Sequence, residues 1–408
     1  MIEHYNFVII GNSAAGLQAI RSLRRHDRKS TIALIDREDR PAYSRVLTPY
    51  YVGGHIPRKG LDIVDHTFYD KLSVAPVFGQ SVISIDPERH TLQLADGRNI
   101  KFDKLLLATG AEARTLAIAT ERACVLRHLS DAEKLVDLYR GIKSVVALGA
   151  GLVSLPLLSH APEEIEKHLV VGSDRIFSRV VDAETATILE EQLIAKGLNI
   201  HKQNDIKGMK EKEQLQLELN CGKQLNSDLL IIGKGVTPNT QLAVSAGLDV
   251  ANGVLVDRYG KSSHADIFAA GDAAEGVDFI SGETTIQGNW MTAVEQGENA
   301  ALNMLGLECR YQGSLKNNIT EIFDIDVAAI GYCQDDVSNI RYSWNPGTGR
   351  FRKVFLDEKD RVVGVTMIGE TNDSGLYYRL ITTRSVFPGK KILEGTATYA
   401  QVELRLAS

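Results

Sequence analysis

Sulfur chemistry is what this sequence is shortest of. Its four cysteines, Cys124, Cys221, Cys309 and Cys333, are scattered, with no C-x-x-C pair and no regular ligand spacing. That excludes an iron–sulfur cluster held by the chain itself and a structural zinc site, and predicts the buried or inert thiols of a cytosolic protein. Long apolar runs are missing as well, since no stretch approaches the ~20 residues a membrane helix needs. A strand pattern that begins by Phe7 leaves no room for a signal peptide, so the expected location is cytoplasmic. Basic runs are absent and the formal net charge is −6, which argues against nucleic acid and membrane surfaces as partners. The histidines, including His55, His66, His128 and His160, show no ligand spacing; they read as structural, and no metal site is expected.

What the chain does have is two glycine-rich turns of one design. The first is Gly11-Asn12-Ser13-Ala14-Ala15-Gly16, after the apolar strand Phe7-Val8-Ile9-Ile10; the second is Gly149-Ala150-Gly151-Leu152-Val153-Ser154, after Ser144-Val145-Val146-Ala147-Leu148. Each leads into a helical pattern and then another strand, so a βαβ unit is duplicated. With 408 residues, 44% of them hydrophobic, two or three domains are expected. In such a unit the turn brings backbone N–H groups against a pyrophosphate at a helix N-terminus, where the helix dipole favours negative charge. Two such sites on one chain point to electron transfer between two dinucleotides.

In the first site Gly11 opens the turn, Ser13 replaces the middle glycine, and Gly16 permits close helix–strand packing. Asp36 closes the next strand, Thr31 to Ile35, and suits a carboxylate accepting both hydroxyls of an adenosine ribose. A hairpin is predicted from Thr91–Leu94 and Ile100–Phe102 around Ala95-Asp96-Gly97-Arg98. Further buried strands are predicted at Leu229–Ile232, ahead of Gly233-Lys234-Gly235, and at Ile267–Ala270, ahead of Gly271-Asp272. From about Tyr311 the texture changes to short alternating strands, such as Arg352–Leu356 and Val362–Ile368, which reads as a separate α+β domain.

These anchors resemble those of the pyridine nucleotide–disulfide oxidoreductase superfamily. Gly11 to Gly16, Asp36, Phe102 to Gly110, Asp266 to Asp272, Pro238-Asn239 and Trp290 to Gly297 carry the resemblance, over roughly the first three quarters of the chain. The fold it implies is α/β: two Rossmann-like three-layer dinucleotide-binding domains plus a C-terminal α+β interface domain. The implied boundaries are residues 1–111 and 251–310 for a split FAD domain, 112–250 for the NAD(P) domain and 311–408 for the interface domain. FAD would occupy the first site against Gly11, Ser13, Ala14, Ala15, Gly16, Asp36 and Arg37. Val82 would lie near the adenine, Thr109 and Gly110 close to the cofactor, and Asp272 on the ribityl chain. A helix N-cap role for Asp272, ahead of Ala273-Ala274, is compatible with that.

Disulfide reductases of this superfamily carry reactive cysteines just after the first βαβ unit. Here that place holds Pro41-Ala42-Tyr43-Ser44-Arg45-Val46-Leu47-Thr48-Pro49-Tyr50-Tyr51, and no cysteine precedes Cys124. Without a thiol there is no thiol relay, so disulfide reductase and cysteine-dependent peroxidase readings fall. The stretch is similar to that of rubredoxin reductases and of the flavin part of NADH-dependent nitrite reductases, which implies a flavin-tuning cation at Arg45; a surface arginine is the plain alternative.

The second site departs from the pattern. Ser154 stands at the third glycine, Pro156 interrupts the helix start, and Gly172 replaces the expected ribose-binding acid. Gly149, Gly151, Leu152, Val153, Ser154, Ser173, Arg175 and Gly235 are the candidate NAD(P) contacts. Arg175 suits a 2′-phosphate and Asp174 a ribose, so NAD and NADP both stay open, as does a site kept for architecture alone. The resemblance implies an FAD-dependent oxidoreductase moving electrons between NAD(P)(H) and an iron–sulfur or similar redox protein. It is of the type of NADH-reactive FAD subunits in aldehyde oxidoreductase or phenylglyoxylate dehydrogenase complexes. A stand-alone rubredoxin or ferredoxin reductase and an FAD-bearing scaffold are the alternatives. Oligomerisation or docking would fall to the C-terminal domain, where Trp344 is a candidate contact.

Overall fold

The computed structural model describes residues 2–117, 120–334, 339–345 and 349–394, with the backbone alone for 339–345, 390 and 391. The chain forms two compact units. Residues 1–44, 61–112 and 236–315 make the first; residues 45–60, 113–235 and 316–408 make the second.

The first unit is built on strands β1 (Glu3–Ile10), β2 (Ile32–Asp36), β3 (Val74–Phe78), β4 (Val82–Asp86), β5 (Thr91–Leu94), β6 (Asn99–Leu107) and β18 (Ile267–Ala269). Its order is β3-β2-β1-β6-β5-β4, with β18 also on β6. The hairpin predicted at Ile100–Phe102 and the motif Leu105–Leu107 are one strand. β6 pairs antiparallel with β5 at its start, parallel with β1 along its length, and parallel with β18 at its end. Alternate side chains go to opposite faces, and both faces are covered. Ile9, Leu34, Leu106 and Phe268 pack under helices α1 (Ala14–His26), α3 (His66–Lys71) and α8 (Trp290–Met304), while Val8, Ile35, Leu105 and Ile267 pack against Val82, Leu92 and Leu248 on the other side. That is why the strands read as unbroken apolar runs. Gly297 lets α8 close on α1, since a Cβ there would stand 2.3 Å from the Ala15 carbonyl oxygen. Helix α7 (Gln241–Ser245) and a small sheet of β17 (Val254–Leu255), β19 (Ala274–Val277) and β20 (Thr284–Thr285) complete this unit.

The second unit holds a parallel sheet of order β11-β10-β9-β15-β8: β8 (Ala123–Cys124), β9 (Ser144–Leu148), β10 (Glu166–Val171), β11 (Leu198–Lys202) and β15 (Leu229–Ile232). Its helices are α2 (Thr48–Val52), α4 (Leu129–Leu138), α5 (Ser154–Ser159) and α6 (Ala183–Ala195). An antiparallel meander, β12 (Ile206–Glu211), β13 (Leu215–Leu219) and β14 (Gln224–Ser227), lays Leu215, Leu217 and Leu219 over Val146, Val170 and Leu230. The short strands β7 (Ala111–Ala113) and β16 (Val236–Pro238) lie where the chain passes between the units.

The C-terminal strands β21 (Asn317–Ile322), β22 (Ile325–Gly331), β23 (Asn339–Asn345), β24 (Arg350–Leu356) and β25 (Val362–Ile368) form an antiparallel sheet of order β21-β22-β25-β24-β23, against which α9 (Ser374–Thr382) packs. The sequence reads this tail as separate, yet it shares a compact unit with residues 113–235. A buried ion pair links the two: Lys353 Nζ on β24 lies 2.7 Å from Asp182 Oδ1, with the side chains 6% and 0% exposed. Asp182 also caps α6, and the Thr185 and Thr366 hydroxyls meet at 2.9 Å. The side chain of Trp344 lies outside the described residues.

Candidate dinucleotide-binding sites

Parallel strands that carry helices on both faces bring their carboxyl ends to one edge, where ligands bind in such folds. In the first unit that edge carries Gly11 after β1, Asp36 at the end of β2, Thr109 and Gly110 after β6, and Gly271-Asp272 after β18. Gly11 has φ +116°, and a Cβ there would stand 2.1 Å from the Ala108 carbonyl oxygen, so only glycine turns this corner. Gly16 would meet the Gly11 carbonyl oxygen at 2.0 Å, which is the close helix–strand packing expected of it. Ser13 is the N-cap of α1 but makes no side-chain capping bond, and the first helical turn holds no acid. Ala14 and Ala15 are buried, so their small side chains fill the core rather than the turn.

Asp36 is aimed by the backbone. Its Oδ2 accepts from the Asn12 N–H at 2.6 Å and its Oδ1 from the Glu38 N–H at 2.8 Å. A carboxylate has about four acceptor positions, so this bracing is compatible with accepting ribose hydroxyls. The Gln80 N–H bonds the Asp36 carbonyl at 3.0 Å, which brings the start of β4, and with it buried Val82, alongside. Arg37 is exposed and pairs with Glu112. These residues fit a bound dinucleotide, with backbone N–H groups at the turn for its phosphates.

The sequence reading quoted Asn12, Thr109, Asn239 and Gln296 within its motifs but not the bonds by which they hold this edge in place. The Asn12 side chain is buried, takes a hydrogen bond from the Tyr69 hydroxyl at 2.9 Å, and donates to the Arg40 carbonyl at 3.3 Å. The Thr109 hydroxyl donates to the Asn239 carbonyl at 2.9 Å, and Asn239 Nδ2 donates back to the Thr109 carbonyl at 2.8 Å. Gln296 Oε1 accepts the Gly271 N–H at 2.8 Å. Asp272 is not a helix N-cap: it sits inside a single 3-10 turn, Gly271–Ala273, that runs into β19, and α8 is capped by Asn289 instead. Gly288 passes within 3.6 Å of Asp272 Oδ1 when a Cβ is placed on it.

The second unit repeats the corner with different packing. Gly149 has φ +99°, and a Cβ on it would stand 2.3 Å from the Gly233 carbonyl oxygen. Gly151 has open space where a side chain would go, and Leu152 and Val153 follow, the first exposed and the second at the α5 N-cap. Ser154 takes the third glycine's place because Gly233, at the end of β15, yields the room: a Cβ on Gly233 would lie 2.0 Å from Ser154 Oγ. The glycine that lets helix and strand close up has moved to the strand side. Gly233→Ala is therefore expected to destabilise by about 1–3 kcal/mol, the cost of overpacking. Adding Ser154→Gly should recover most of that loss in chemical denaturation; a double variant no better than the single would contradict this pairing.

Helix α5 is only six residues long, against thirteen in α1, and Pro156 lies in its first turn. After β10, Gly172 is exposed, the Ser173 hydroxyl donates to the Arg175 carbonyl at 2.7 Å, and Arg175 Nη1 lies 3.6 Å from Asp174 Oδ1. The Arg175 side chain is 22% exposed and that of Asp174 is 65% exposed. Gly235, at φ +85°, has open space at its Cβ position.

Arg45 belongs to the second unit, where its Nη1 donates to the Arg127 carbonyl at 2.6 Å and lies 3.3 Å from His128 Nδ1. All four cysteines are free. Burial pushes the Cys124 thiol up, and Cys333 to about 12, so neither offers a thiolate near neutral pH. Cys221 is exposed and Cys309 partly so, so burial describes only Cys124 and Cys333. Among the described residues no helix is long and apolar enough to cross a membrane.

Two sheets, each with parallel strands that end in a glycine corner at a helix start, are the frame of an oxidoreductase with two dinucleotide sites. The chain belongs to the pyridine nucleotide-disulphide oxidoreductase family, whose model matches residues 5–297. It is 28% identical over 405 residues to the assimilatory nitrate reductase electron transfer subunit of Bacillus subtilis, covering 96% of this chain and 51% of that subunit. The chain thus spans about half the length of that relative. It is also 28% identical to the NADH-dependent phenylglyoxylate dehydrogenase subunit epsilon of Aromatoleum evansii, over 94% of this chain and 93% of the relative. The crystal structure of the ferredoxin reductase for the CYP199A2 system of Rhodopseudomonas palustris superposes with a TM-score of 0.88 at 26% identity, covering 97% of this chain and 98% of that one.

Proposed function

We propose that this chain transfers electrons between NAD(P)(H) and a redox protein partner with iron–sulfur centres, as the flavin subunit of a larger complex. The observation that carries this reading is a braced dinucleotide cradle on a chain whose residues 41–51 hold no thiol and whose Cys124 and Cys333 are buried. Bound FAD supplies the exchange between a two-electron nicotinamide and one-electron acceptors. The chain's own share is to bind and orient. Gly11 to Gly16 would give the pyrophosphate its backbone donors, Asp36 and Arg37 would take the ribose edge, Val82 would line the adenine, and Thr109, Gly110 and Asp272 would meet the ribityl end.

The functional partition we propose keeps an FAD part, an NAD(P) part with Gly149, Gly151 to Ser154, Ser173, Arg175 and Gly235, and an interface part from residue 311. The relatives described as an electron transfer subunit and as a subunit of an NADH-dependent dehydrogenase support the complex. A cytoplasmic location is part of the same proposal.

For the nicotinamide cofactor the geometry favours NAD. Asp174 stands beside Arg175, and a carboxylate there repels a 2′-phosphate while it can accept from a ribose hydroxyl. Anaerobic stopped-flow mixing, followed by flavin absorbance, is expected to show bleaching by NADH at least tenfold faster than by NADPH. Absence of bleaching with either, even with the native partner bound, would favour the scaffold reading that the short α5 and Gly172 suggest. Native purification separates the remaining alternatives, because a stand-alone reductase would emerge without a stoichiometric iron–sulfur subunit.

A further inference from the structure

The first unit brings together donors from two segments that lie far apart in the sequence. His90 ends the turn between β4 and β5 in a left-handed conformation, φ +51°, and its ring stacks on Phe102 with centroids 5.5 Å apart. His264 and Asp266 lie in the turn that leads into β18, whose backbone is fixed by the Leu105 N–H on the Asp266 carbonyl and the Ile267 N–H on the His264 carbonyl. Across the gap, His90 Nε2 is 3.2 Å from Asp266 Oδ2, and the two imidazoles meet edge to face at 5.8 Å. One ligand atom from each of the three lies within 4.8 Å of the others, and all three residues are half-buried.

We propose that His90, His264 and Asp266 form a binding site for a borderline divalent cation of the zinc, cobalt or copper class. Two imidazole nitrogens and one carboxylate oxygen are the donor set such ions prefer, with a fourth position open to water. Calcium and magnesium favour all-oxygen shells and are disfavoured here. Donors sharing a tetrahedral ion at about 2.1 Å stand roughly 3.4 Å apart, a spacing His90 and Asp266 already have, so small side-chain rotations of His264 close the set. Lys104 shapes the affinity: its ammonium pairs with Asp266 Oδ1 and leaves Oδ2 toward His90, so a metal ion must bind beside a resident positive charge. An ion bound here clips the β4–β5 turn to β18, the strand that delivers Gly271 and Asp272.

The test uses the full chain, stripped with a chelator, and Zn²⁺ or Co²⁺ as the probe. Calorimetric titration is expected to show one site on the wild type and an affinity at least tenfold weaker in both His90→Ala and His264→Ala. Zn²⁺ should also raise the melting temperature of the wild type and of neither variant. Lys104→Met keeps all three ligands and removes the competing charge, so it should bind about tenfold more tightly. No binding to the wild type, wild-type affinity in either histidine variant, or no gain in Lys104→Met would overturn the proposal.

Discussion

Asp36→Ala is expected to emerge from purification without its FAD. The substitution removes the carboxylate that the Asn12 and Glu38 N–H groups orient, and with it the proposed acceptors for the ribose hydroxyls. Hydrogen bonds to a charged group contribute about 1.5–3 kcal/mol each, so losing two ribose contacts costs roughly 3–6 kcal/mol, a weakening of about 10² to 10⁴ in affinity. The Asn12 N–H would also lose its acceptor, which loosens the turn itself. Asp36→Asn separates the two effects: it keeps one oxygen acceptor and much of the shape, and should retain part of the cofactor. The visible flavin spectrum and the protein-to-FAD ratio after gel filtration are the readouts. Full occupancy in Asp36→Ala would remove the basis for assigning this edge to the ribose.

Lys353→Ala is expected to destabilise the second unit by about 3–5 kcal/mol, the usual cost of leaving a buried charge without its partner. Asp182 is fully buried and would keep only the α6 cap and Thr185 as company. Replacing both charges, with Lys353→Met and Asp182→Asn, should recover most of the loss, because the uncompensated charge is what costs. The pair also sets a pH dependence. Burial pulls the Lys353 ammonium down, yet Asp182 and Glu184 outweigh it and raise the group above its ordinary value. A raised folded-state value means its stabilisation is complete below the unfolded lysine value, about 10.4, and is lost as pH rises through the folded value. Denaturation at pH 8 and pH 11 should show the wild type losing more stability than the Lys353→Met/Asp182→Asn variant. Equal loss would mean that Lys353 does not hold the C-terminal sheet through its charge.

Much of the candidate cofactor edge was legible because it is local. Gly11 and Gly149 need left-handed backbone at a strand-to-helix corner, and that requirement sits within a few residues of each strand. The strands at Leu229–Ile232 and Ile267–Ala269 announced themselves by unbroken apolar runs, which follow from burial on both faces. Ser154 looked like a defect because its compensation, Gly233, lies at the end of another strand. Asp272 looked like a helix cap because nothing local shows that β19 starts two residues later. His90 and His264 passed as isolated histidines, since ligand spacing is visible only when ligands share a segment.

By itself the amino-acid order determined the two βαβ units, the acid at the end of β2 and the absence of a thiol where a disulfide reductase needs one. Each is a property of short range: backbone conformation, side-chain periodicity, or the plain presence of an element. Tertiary structure alone decided that β6 serves three neighbours, that Gly233 makes room for Ser154, and that Lys353 ties the C-terminal sheet to Asp182. Those outcomes depend on distances between segments remote along the chain. Such distances are fixed by how sheets and helices exclude volume and bury charge, and no window of sequence contains that information.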